Sequence, residues 1–127
     1  MQTIVAIARH SEWQKAVIAG EYKLSTINST LDDVGFIHCT NPDQTIDTAN
    51  RRYTDQDDLL LLFIDVAKVI PEVKFESALS GRAGLFPHIY GPLNTNAVYG
   101  TASLAKDSDN HFITPAKLQE KIDLMKS

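Results

Sequence analysis

Two histidine-bearing motifs carry the chemistry that this sequence could perform. The first is Gly35 to Thr40, in which His38 stands between the apolar Ile37 and Cys39 and is followed at once by a helix-start signal. A histidine there lies at the carboxyl end of a strand, just before a helix N-terminus whose N–H groups and dipole attract anions. Thr40 and Asn41 add a hydroxyl and an amide to the same corner. Two features speak against a phosphate site: no glycine-rich loop is present, and Asp43 adds negative charge to the first turn. The second motif, Phe86 to Leu93, reads F-P-H-I-Y-G-P-L. Pro87 and Pro92 restrict its backbone, and Gly91 permits a tight bend or a close ligand approach. His88 and Tyr90 are two apart, so in an extended segment they point to one side and suit the orientation of a sugar or a base. A buried turn with a bonded tyrosine hydroxyl fits the same residues equally well. The expectation is that both motifs line one small-molecule pocket.

Other candidates are weaker. Glu76 follows a short strand and could serve as a general base or hydroxyl acceptor only if it faced the histidines; spacing alone favours an exposed side chain. His38 and His88 offer no third ligand at zinc-binding spacing, so no metal is expected. Cys39 as a nucleophile needs a nearby base, and its strand neighbour His38 faces the other way. A nucleophile elbow of the G-x-S-x-G type is absent. His10 and His111 sit in polar surroundings and read as solvated.

The elements that must position these groups follow from pattern. Thr3 to Ala8 is apolar and partly β-branched, a first strand. Ser11 with Gln14 reads as a capping box, Trp13, Ala16 and Val17 recur at helical spacing, and Gly20 stops the helix. Tyr22 to Gly35 has no sustained period and reads as a surface loop. Phe36 to Cys39 is a short strand. Asn41 then caps a helix with Pro42 in its first position and Gln44 completing the box. Ile46, Ala49 and Tyr53 form its apolar face, Asn50 lies on that face, and Asp47 and Arg51 are spaced for an ion pair. Leu59 to Ile64, apolar throughout, is the pattern of a strand buried on both sides. Val73 to Phe75 and Ala97 to Leu104 are further strands, with Ser80 to Pro92 a turn-rich connection. Lys106 to Asn110 is linker-like. Thr114 caps a last helix with Pro115 in its first position, and Leu118, Ile122 and Met125 form its stripe. That stripe packs on its own domain or makes a homodimer contact. Short strands with few helices predict an α+β fold.

Composition limits the function classes. The chain has 127 residues, 43% hydrophobic and 22% charged, enough for one domain with its own core. A net charge of −4 disfavours bulk nucleic-acid binding. No apolar run is long enough for a membrane span, and the start lacks the features of a signal peptide, so a cytoplasmic location is expected. One cysteine excludes an internal disulfide.

Taken in order, G-F-I-H-C-T, T-A-N-R, D-L-L-L-L-F-I-D, V-K-F-E and F-P-H-I-Y-G-P-L with A-V-Y behind it resemble a small bacterial family, the domain of unknown function 952 family. The resemblance runs from about Ile4 to Leu104, leaving residues 105–127 as a C-terminal extension to a core of residues 1–104. It implies an ADP-ribosyltransferase-like fold, a split and bent β-sheet whose cleft grips the nicotinamide end of NAD. By motif, the matching positions are His38, Thr40, Asn50, Glu76, His88 and Tyr90. His38, Thr40, Asn50 and Tyr90 would bind the cofactor, the histidines and Tyr90 holding ribose hydroxyls or stacking on a ring. His88 and Glu76 would be catalytic, Glu76 stabilising an oxocarbenium-like centre. One position departs from the family: related chains carry a histidine in the first strand, where this chain has Ala6, which cannot hydrogen-bond a ribose. The implied activity is NAD-dependent glycosyl or ADP-ribosyl transfer, and the alternative is a non-catalytic module binding a nucleotide or small anion.

Overall fold

The computed structural model describes residues 1–78 and 81–126. The chain begins with β1 (Thr3–Arg9), whose middle residues are buried. Helix α1 (His10–Ala19) starts one residue before the expected Ser11 cap. Arg9 occupies the capping position without a side-chain capping bond, since a guanidinium has no acceptor; it donates to Ile27 O at 3.0 Å, Asn28 Oδ1 at 3.1 Å and Gln56 Oε1 at 3.2 Å. Gly20 ends the helix as expected, at φ 85, a left-handed conformation that glycine adopts without steric penalty.

The segment expected to be a surface loop, Tyr22 to Gly35, is instead built of short elements. They are β2 (Glu21–Tyr22), β3 (Leu24–Thr26), β4 (Ser29–Thr30) and α2 (Leu31–Val34). Tyr22, Ser25 and Ile27 are buried. Thr30 and Asp33 exchange two capping bonds of 3.2 Å to start α2. Elements this short carry no periodic signal, and the segment is held by Arg9 from outside it.

β5 (Ile37–His38) leads to the expected helix start, in which the Asn41 N–H donates to Gln44 Oε1 at 2.8 Å. The first turn, Pro42–Gln44, is a 3-10 helix, and α3 (Thr45–Arg52) follows. Arg51 pairs with Asp47 at 3.0 Å as the spacing predicts. β6 (Leu59–Asp65) is buried at every position. β7 (Val73–Ser77) and β8 (Leu85–Ile89) come next, so much of the expected Ser80 to Pro92 connection is a strand; Ser80 itself lies outside the described residues. Proline is rare inside central strands, which is why Pro87 hides β8 in the sequence.

After β9 (Leu93–Asn94) and β10 (Val98–Ser103), the expected linker proves to be the turn of a hairpin between β11 (Ala105–Lys106) and β12 (Phe112–Ile113). Asp107 Oδ1 accepts the N–H groups of Asp109 and His111 and shapes that turn. Helix α4 (Ala116–Met125) has Pro115, not Thr114, in its capping position. Its Leu118 is fully buried and Ile122 packs beside it, while Met125 is exposed.

Two three-stranded antiparallel sheets organise the molecule, in the orders β1-β6-β10 and β5-β8-β7. They meet where Val5 and Thr40 exchange two backbone hydrogen bonds of 2.8 Å. Alternation along β1 and β6 divides the core. Ile4, Ala6, Ala8, Leu60 and Leu62 join Ile37, Cys39, Ile89 and Leu93 on one side. Val5, Ile7, Leu61 and Phe63 join Ala49, Tyr53, Phe112 and Leu118 on the other. The result is an α+β fold of several antiparallel sheets with few helices. Among the described residues, no helix is long and apolar enough to cross a membrane.

Candidate functional site

The β5-β8-β7 sheet has one face in the core and one face of rings and charges. His38 pairs in register with His88, and His88 with Lys74, so the three side chains share a face. Glu76 pairs with Phe86, two residues before His88, and joins that face. Ile37, Cys39 and Ile89, which alternate with them, point into the core.

On this face Phe36 lies flat on His88, with ring centroids 4.0 Å apart and an interplanar angle of 18°. His38 lies 5.4 Å from His88 and 6.0 Å from Phe86, centroid to centroid. Tyr90 closes the row at 5.5 Å from Phe36. Cations cap both ends: Lys74 Nζ sits 4.7 Å from the Tyr90 ring centroid, and the Arg82 guanidinium 4.8 Å from that of Phe86. Arg82 is anchored on α3, donating to Thr48 Oγ1 at 2.8 Å and pairing with Asp47 at 2.6 Å.

Glu76 is the organising carboxylate. Its Oε1 lies 2.9 Å from His88 Nδ1 and accepts the Tyr90 hydroxyl at 2.5 Å. The Tyr90 hydrogen bond, then the one from His88, hold the Glu76 carboxyl below its usual range, and the carboxylate raises the Tyr90 phenol above its own. An ionised carboxylate only accepts, so His88 Nδ1 carries the proton of that bond, and Nε2 is the ring atom left to exchange a proton. That Nε2 is buried and, among the described residues, has no hydrogen-bond partner. A buried unpaired polar atom costs about 1–3 kcal/mol and calls for an explanation.

Burial keeps His38 in its neutral form. Burial lowers its pKa from the ordinary 6.5 to about 4, with Arg52 and then the nearby His88 and Arg82 acting in the same direction. Its ring lines a cavity of about 190 Å³ together with Ser25, Thr26, Val34, Phe36 and Arg52. A smaller hollow of about 10 Å³, lined by Ser25, His38, Thr40, Thr48 and Tyr53, adjoins it. Ser25 Oγ is the other buried side-chain atom without a partner among the described residues. Two hollows of about 310 Å³ elsewhere, one along α1 and one between the N-terminus and α4, hold neither unpaired atom.

The structure therefore brings together His38, Glu76, His88 and Tyr90. Thr40 is beside them, but its hydroxyl is 2.7 Å from that of Thr45 and its backbone joins the two sheets. Asn50 is placed differently: its Oδ1 accepts the Phe112 N–H at 2.7 Å and ties α3 to the C-terminal hairpin. Ala6 faces the core beside Ile37 and Cys39, opposite to the histidine face. Burial pushes the Cys39 thiol far above its usual range, which removes it as a nucleophile. His10 stays near the surface, 3.2 Å from Ser103 Oγ. No group of three metal-ligating side chains occurs among the described residues.

Sequence reasoning missed Phe36, Ser25, Arg52 and Arg82. Phe36 was within reach, since it stands two residues before His38 and so shares its face. The others arrive through tertiary contacts.

Comparison with known proteins agrees on the chain's relatives and leaves their activity open. No curated protein matches the chain. The crystal structure of protein CC0527 from Caulobacter crescentus is similar with a TM-score of 0.78 and 30% identity, over 92% of this chain and 98% of that one. The solution NMR structure of CC0527 gives a TM-score of 0.71 over 87% and 91%. The model of the family described as "Protein of unknown function (DUF952)" matches residues 7–101. By that match, spanning most of the sequence and both histidine motifs, the chain belongs to the DUF952 family.

Proposed function

We propose that the histidine face is a ligand site for an NAD-class nucleotide, on an ADP-ribosyltransferase-like sheet, and that His88 is its acid–base group. The observation that carries this reading is the Glu76–His88 pair, with Nδ1 held by a carboxylate and Nε2 buried without a partner among the described residues. A carboxylate in that position fixes the tautomer and ring orientation and stabilises the imidazolium when Nε2 takes a proton. Glu76 thus acts through His88 and Tyr90 by Oε1, a different role from direct contact with a reacting carbon.

The residues suit the ligand. Phe36 and Tyr90 offer ring surfaces, His38 and Ser25 offer hydrogen-bonding atoms, and Lys74, Arg52 and Arg82 supply positive charge in an otherwise acidic chain. Bound NAD would supply a glycosidic bond to a good leaving group, nicotinamide. His38 and Tyr90 would orient the ribose, and His88 Nε2 would exchange a proton with a ribose or acceptor hydroxyl. The junction of the two sheets at Val5 and Thr40 supports the split-sheet reading, since it places His38 beside the seam.

Incubation with nicotinamide-labelled NAD tests the reaction. Release of nicotinamide is expected, and His88→Ala should reduce it by about a hundredfold or more. Glu76→Gln, which removes the carboxylate from His88 Nδ1, should slow it too. No release with any acceptor would refute the transfer reading. One observation favours a second reading, a binding module without chemistry: Phe36 covers His88 at 4.0 Å and leaves its ring only 2% exposed. Calorimetry showing saturable nucleotide binding without product would select it.

A further inference from the structure

Arg51 and Arg52 are adjacent but differently placed. Arg51 pairs with Asp47 at 3.0 Å, whereas Arg52 forms no ion pair among the described residues and lies beside the Tyr53 side chain, a neutral neighbour. Arg52 lines the 190 Å³ cavity with Ser25, Thr26, Val34, Phe36 and His38. Ser25 is 3% exposed, and its hydroxyl has no partner among the described residues. A guanidinium without a carboxylate and a buried hydroxyl without a partner thus border one cavity. Each lacks what an oxyanion provides: negative charge for the first, an acceptor for the second.

We propose that this cavity binds the oxyanion of a small ligand, phosphate or carboxylate, between Arg52 and Ser25, with Val34 and Phe36 against the ligand's apolar body. The inference rests on reading the histidine face as a ligand site and adds the chemical class of one group the ligand carries there. Thr26 is a second hydroxyl at the same wall. His38 is neutral and therefore neither competes for the anion as a cation nor repels it; an anion in place would offset the Arg52 charge and raise the His38 titration.

Two probes, inorganic phosphate and benzoate, are titrated separately into the full chain at constant ionic strength, following the Ser25 amide and the His38 ring by NMR. Saturable shifts of both residues are expected with at least one probe. Phosphate alone points to a phosphoester ligand, benzoate alone to an aromatic carboxylate, and both to an oxyanion site tolerant of either. Arg52→Gln and Ser25→Ala should each weaken binding about tenfold, with melting curves verifying the fold, and Arg51→Gln should leave it unchanged. Absence of saturable shifts, unchanged binding in Arg52→Gln, or equal weakening by Arg51→Gln overturns the inference. The titration needs no NAD, so anion binding without nicotinamide release refutes the proposed reaction and leaves this subsite standing, and release without anion binding does the reverse.

Discussion

Acidification should destabilise this protein through His38. Its folded pKa is about 4 against an ordinary 6.5, so the unfolded chain binds the proton first. The stability that comes from keeping the ring neutral is complete above about pH 7 and is lost as pH falls through 6.5 towards 4. Integrated over that window, the loss reaches about 2 kcal/mol at about pH 5 and about 3 kcal/mol once both states are protonated. The ring is only partly buried, so solvent screening brings the loss at about pH 5 nearer to 1–2 kcal/mol. For a chain of this size that is a melting shift of roughly 4–8 °C. The assay is thermal or denaturant unfolding at about pH 7.5 and about pH 5, on the wild type and on His38→Gln. Carboxylates contribute alike to both proteins, so the difference between the two pH dependences isolates His38. Equal pH dependences, or a His38 ring that titrates near 6.5 in the folded protein, would refute the reasoning.

The remaining predictions concern the scaffold and the carboxylate. Leu118→Ala should cost about 2–5 kcal/mol in denaturant unfolding, because Leu118 is fully buried among Val5, Leu61 and Phe112. Truncation after Leu104 should for the same reason unfold the chain; a stable fragment with a sharp melt would contradict this. Asn50→Ala should lose about 1–2 kcal/mol by leaving the Phe112 N–H unpaired while nucleotide affinity stays at the wild-type level, so a loss of affinity in a folded variant would return Asn50 to the site. Glu76→Gln should bring the raised Tyr90 phenol down towards 10, read by ultraviolet absorbance during a pH titration; an unmoved Tyr90 would deny the shared carboxylate.

Much of the scaffold was legible in the sequence because local patterns decide it. The continuous apolar run of β6, the glycine stop after α1 and the Asn41–Pro42–Gln44 helix start depend on neighbours along the chain. The shared direction of His38, His88 and Tyr90 follows partly from alternation within strands. The errors have tertiary causes. Tyr22 to Gly35 is ordered by Arg9 and by strands of two or three residues, too short for periodicity. β8 becomes a central strand despite Pro87, because β5 and β7 pair with it on either side. Lys106 to Asn110 is polar because it forms a tight hairpin turn, not because it is a tether. Within the site, the Glu76 position could not be read from spacing, which favoured solvent; the register Glu76 to Phe86 turns it towards His88. Ser25 and Arg52 belong to segments whose approach to His38 only the folded chain defines.

The central claim is that the histidine face receives an NAD-class ligand through His88 Nε2. The most direct measurement is a titration of the nitrogen-15-labelled protein with NAD, reading the imidazole resonances of His38 and His88. The account predicts saturable shifts of both rings, with His88 Nε2 moving from an unpaired to a hydrogen-bonded environment and His10 and His111 unaffected. Saturating NAD that leaves His38 and His88 unmoved, or that shifts only residues away from this face, would contradict it.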